Sequence, residues 1–99
     1  MTKIKKLIDI IDEEICGAKQ YAECYVEQKV KDNAQLANRY KEMSQDELKH
    51  AMYMHELCMT EIEELKQVIT PPEEMIEKWE KAHNHYVEKA SWVKQMLSM

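Results

Sequence analysis

The chain has little of what makes turns and sheets. Its 99 residues include one glycine, Gly17, two adjacent prolines, Pro71 and Pro72, and no phenylalanine. So little turn chemistry excludes a many-stranded sheet and leaves long helices. No apolar run approaches the roughly 20 residues needed to span a bilayer, so no membrane partner is expected. No basic stripe stands out, and the net charge of −5 argues against a nucleic-acid partner. Lysines at 3, 5 and 6 precede neither an uninterrupted apolar stretch nor a cleavage site, so no signal peptide is expected. The three cysteines cannot all pair. Cys16 and Cys24, on one predicted helix, lie about 12 Å apart along its axis, beyond disulfide reach. A reduced, cytoplasmic compartment is the simplest expectation.

What is present suits an all-α fold in one domain, residues 1–99. Charged residues make up 33%, and eight methionines and two tryptophans supply core volume in place of phenylalanine. Ile4, Leu7, Ile8, Ile11, Ile15, Ala18, Ala22, Tyr25 and Val26 recur at spacings of three and four, which predicts a helix over residues 2–29. Asp32 or Asn33 can cap a second helix over 33–69, with Leu36, Tyr40, Met43, Ala51, Met54, Cys58, Ile62, Leu65 and Ile69 on its apolar face. Thr70-Pro71-Pro72-Glu73 marks the next boundary. Thr70 is the expected N-cap, Pro71 the first helical residue and Glu73 the partner in a capping box. A third helix over 71–97 carries Ile76, Trp79, His83, Tyr86, Ala90, Val93 and Leu97 on one face. Short connections make the three helices antiparallel neighbours.

Charged groups interrupt two of these apolar faces. Glu14 lies between Ile11 and Ala18, near the centre of the first stripe. Glu47 follows Met43 by one turn, His50 follows Glu47 by three residues, and both are expected to project inward. The midpoint of 14 and 47 falls at 30–31, and that of 14 and 50 at 32, where the chain turns back. Glu14 therefore arrives at the height of Glu47 and His50. A carboxylate facing a Glu-x-x-His pair inside a bundle is half of a di-iron carboxylate site. Oxygen and imidazole donors suit iron(II), manganese(II) or zinc(II) better than calcium or magnesium.

Glu14, Tyr21 and the run Glu47-Leu48-Lys49-His50-Ala51 resemble the first helix pair of the ferritin-like superfamily, which includes ferritins, bacterioferritins and rubrerythrins. The resemblance covers residues 8–58, about half the chain. It implies Glu14 and His50 as terminal metal ligands, Glu47 as a bridging ligand and Tyr21 as a neighbour with a catalytic role. The departure is equally plain. That family takes a second Glu and a second Glu-x-x-His from two further helices, and this chain has no fourth helix. Glu80-Lys81-Ala82-His83 has the right letters at the wrong height, with His83 expected opposite Cys58 and about 12 Å along the helix from His50. Two chains would complete the set, with two Glu14, two Glu47 and two His50, as in half-length ferritin-like proteins.

The expected assembly is thus a homodimer, or a multiple of one, forming a ferritin-like bundle. The expected function is binding two iron ions per dimer, with ferroxidase-type or oxidant-scavenging activity toward O2 or peroxide. The competing expectation is a metal-free helical assembly protein that keeps the fold. Other residues are weaker candidates. His83, Cys58 and Glu61 could make a small zinc site, although a hydrogen-bonded core histidine is the commoner role for such a residue. His55 lies too far round its helix to join His50, and His85 is expected to be solvated. Tyr21, Tyr25 and Tyr40 cluster near the first turn. No rubredoxin-like cysteine pairs are present, which speaks against a self-contained peroxidase.

Overall fold

The computed structural model describes residues 2–99 as three helices, α1 (Thr2–Val30), α2 (Ala34–Lys66) and α3 (Glu73–Leu97). No strand occurs among the described residues. The helices lie side by side in a rod 55 × 17 × 17 Å.

The α1 stripe is buried as its spacing predicts, from Ile4 through Ile15 to Tyr25. Large side chains, Ile4, Leu7, Ile8 and Ile11, fill the end far from the first turn. Nearer the turn the core row narrows to Ala18 and Ala22, which share a cluster with Ala37 and Ala51 of α2. Small residues let the two backbones approach, and Ser44, fully buried, donates to the Ala18 carbonyl at 2.7 Å. Burying one isoleucine side chain, such as that of Ile15, contributes roughly 1.5–3 kcal/mol.

The first turn is closed by two devices. Asp32 takes φ 59°, in the left-handed region, and the Asn33 N–H donates to the Gln28 carbonyl at 2.9 Å. That six-to-one bond is the Schellman closure of a helix. Asn33 then caps α2, its side-chain oxygen accepting from the Leu36 N–H at 3.2 Å.

The second boundary differs from the sequence expectation. Helix α2 ends at Lys66, and Ile69 is left exposed instead of extending the stripe. Thr70 caps nothing, because α3 starts at Glu73 with Pro72 as N-cap and no side-chain cap bond. The reason lies in the proline pair. Each proline disfavours the helical conformation in the residue before it, so Pro72 bars Pro71 from opening a helix. Glu73 and Glu74 instead place negative charge at the start of α3, where the helix dipole favours it.

Helix α3 lies chiefly along α1, with a shorter contact on α2. Lys78 pairs with Asp9 at 3.6 Å, His85 with Asp12 at 3.0 Å, and Lys89 reaches the Cys16 sulfur at 3.1 Å. Because α3 occupies one groove of the α1–α2 pair, the opposite face of that pair stays open. By helical spacing Ile10 and Met43 lie one turn from Glu14 and Glu47, and they and Leu57 are exposed, at 36%, 41% and 43%. Met43 was expected in the core, and Ser44 takes that place.

Candidate metal centre

Glu14 of α1 and Glu47 and His50 of α2 come together at one height. Each offers a ligand atom within 4.8 Å of the others. The closest approach between His50 and Glu14 is Nδ1 to Oε2, 3.7 Å. No other group of three such donors occurs among the described residues, and none of the three lies on α3. The turn at 31–33 sets this meeting, because helical rise is fixed at about 1.5 Å per residue on both sides of it.

The three side chains differ in exposure. Glu14 and Glu47 are half-buried, whereas the His50 side chain is 57% exposed. The expectation that His50 points inward needs correcting. A three-residue step turns about 300°, so a histidine three beyond an inward glutamate leans some 60° toward the rim. It closes the group from outside.

A hydrogen bond with Glu14 pushes the Glu47 pKa up to about 6, helped by partial burial and by the Glu14 charge and opposed by His50. Below about pH 6, Glu47 thus holds a proton beside the Glu14 carboxylate. Gly17, one turn from Glu14, faces the Glu47 carboxylate. A Cβ on Gly17 would sit 3.3 Å from Glu47 Oε2, tighter than ordinary contact. The one glycine of the chain therefore makes room for the head of Glu47 against the α1 backbone. Two oxygen-donor residues, one imidazole and a carboxyl proton that a cation can replace make a donor set suited to iron(II), manganese(II) or zinc(II).

Tyr21 is half-buried and its ring stacks with Tyr40, centroids 6.4 Å apart. Seven residues separate it from Glu14, about 10 Å along the axis, so it borders the group without entering it. Tyr25 is buried apart from this pair, with the Lys29 and Lys41 ammonium groups over its ring.

Several weaker candidates separate. His83 does not join Cys58 and Glu61. Its Nδ1 lies 2.7 Å from Nε2 of His55, and Glu61 binds Lys3 at 2.8 Å. His85 is on the surface but paired with Asp12. All three cysteines are free, and burial pushes the Cys58 thiol up to about 11. The His55–His83 pair was not expected from the sequence. A signal was there, since Ala51, His55, Cys58 and Ile62 step by four, three and four along one buried row. A histidine in such a row requires a partner from the packed neighbour.

No family model, curated protein or solved structure matches the chain.

Proposed function

We propose that two copies of the chain pair through the open α1–α2 face and hold two iron ions between them. Glu14 and His50 would serve as terminal ligands and Glu47 as the bridge, in a ferritin-like bundle completed by the second copy. The observation that carries this reading is the meeting of Glu14, Glu47 and His50 at one height, with no ligand from α3 and His50 open to solvent. Ile10 lies one turn from Glu14 and Met43 one turn from Glu47. Their exposure supplies apolar surface around the acidic group for a partner helix pair to bury.

Iron(II) held there would be the substrate, each ion supplying one electron to O2 or peroxide. The residues of the chain position and charge-balance it. Glu14 and Glu47 supply negative charge once the Glu47 proton leaves, His50 closes the rim, and Gly17 leaves room for the Glu47 head. Tyr21 would stand at the edge of the group as an electron or hydrogen-bond donor. Manganese or zinc would fit the same donors.

Anaerobic titration of the purified protein with Fe(II) tests the reading. Saturation near one iron per chain, with a dimer in sedimentation and a ferric absorption band on exposure to air, is expected. The competing reading is a metal-free helical assembly module, in which the Glu14–Glu47 proton alone offsets the charge. A protein with no saturable iron binding would establish that reading instead.

A further inference from the structure

The α2–α3 seam carries a histidine pair that metal binding leaves unused. His55 Nε2 and His83 Nδ1 lie 2.7 Å apart, and His55 is 8% exposed. The His55 ring stacks on Tyr86, centroids 4.4 Å apart, and stands 5.1 Å from the Trp79 ring. Two imidazole nitrogens this close need one hydrogen between them. A neutral pair satisfies that, one ring donating and the other accepting. A pair with one extra proton does too, because an imidazolium can donate to a neutral ring. A second extra proton sets two donors and two positive charges against each other, and the bond is lost.

The surroundings do little to offset that second charge. On α2, Glu56 favours protonation of His55 but stands on the exposed surface, and burial keeps the Cys58 thiol protonated. On α3, burial raises the pKa of Tyr86, so its phenol is neutral, and the remaining facing group is His83. Helix α1 contributes Ile4, Leu7, Ile8 and Ile11 to this end of the core. Its carboxylates Asp9 and Asp12 lie on the other seam, against Lys78 and His85. Burial first, and the nearby His83 second, lower the His55 pKa from its ordinary value.

We propose that His55 and His83 form an acid-sensitive clasp, holding α3 against α2 while they share a proton and releasing it when both rings are charged. Helix α3 has separate anchors on α1, so release opens one seam while the helices persist, a local opening of the kind that low-contact interfaces permit.

Trp79 reports on the clasp directly. In a Trp92→Phe background, Trp79 is the sole tryptophan of the full chain. Its emission and near-UV circular dichroism would be followed from about pH 8 to about pH 4, with far-UV dichroism alongside. The expected result is a red shift and loss of the near-UV signal with a midpoint below the ordinary histidine value of 6.5, while the helical signal holds. His83→Gln, which cannot take the second charge, should carry the Trp79 signal to lower pH. Glu47→Gln should leave the transition in place, separating it from the carboxylate pair. A flat Trp79 signal, an unchanged transition in His83→Gln, or helix loss in the same step would overturn the proposal. If His83→Gln does not fold, ring-proton NMR of the wild-type chain decides. A His55 curve displaced below the ordinary value supports the clasp, and a His55 curve at the ordinary value overturns it.

Discussion

His50 and His55 lie little more than a helical turn apart on α2, yet their surroundings have opposite character. His50 stands at an open rim beside two carboxyl groups, and His55 lies in an aromatic seam against another imidazole. Each place brings two titratable groups from different helices together. At Glu47 a proton bonded to Glu14 relieves excess negative charge, so the carboxyl pKa rises, whereas at His55 burial and the facing His83 disfavour added positive charge, so the pKa falls. Two histidines of one helix, about 140° apart round its axis, therefore do not share one chemistry. What the packed neighbour brings decides it.

The largest expected difference comes from truncation. His55→Ala removes a buried ring and orphans a nitrogen of His83, which should cost about 2–4 kcal/mol of stability by denaturant unfolding. His50→Ala, at an exposed rim, should stay within about 0.5 kcal/mol. Equal losses would show that the two sites are buried alike.

Glu14→Leu should reverse sign between two measurements. Replacing a half-buried acid on an apolar stripe should raise apo stability by about 1 kcal/mol, while iron binding is lost. Gly17→Ala makes a finer cut. Better helix propensity contributes up to about 1 kcal/mol, less whatever is needed to displace the flexible head of Glu47. A higher melting temperature with weaker Fe(II) binding is expected, and unchanged binding would remove Gly17 from the site.

The smallest effect is a pH slope. Glu47 has its folded pKa above its unfolded value, so it stabilises most at low pH and loses that contribution as pH rises through about 6. His55 has its folded pKa below its unfolded value, so its contribution is complete at high pH and falls as pH drops through 6.5. The opposed slopes partly cancel in the native chain. Melting temperatures of Glu47→Gln should fall more steeply with acid than those of the wild type. Those of His55→Gln should fall more steeply with base.

The helices and the height of Glu14 opposite Glu47 and His50 were legible because periodicity and rise are local, and one turn relates the two helices. Rotation of a helix about its own axis is not local. A modest rotation exchanges Met43 for Ser44 in the core, and only the close approach allowed by Ala18 and Ala22 decides between them. The second boundary is not legible from Thr70-Pro71 alone, because Pro72 restricts the conformation of Pro71. The role of His55 is not legible from α2 alone, because its partner comes from α3.

The rod shape has a hydrodynamic consequence. The chain is roughly three times as long as it is wide, and its radius of gyration of 15.9 Å exceeds the ~13 Å of a compact domain this size. Such a particle tumbles unequally about its long and short axes. Joining two rods along their sides doubles the mass while hardly lengthening the particle, so the dimer would be rounder than its subunit. Joining them by their ends would stretch it further. The proposed iron-binding pair would thus show, in X-ray scattering, a longest dimension close to that of a single chain.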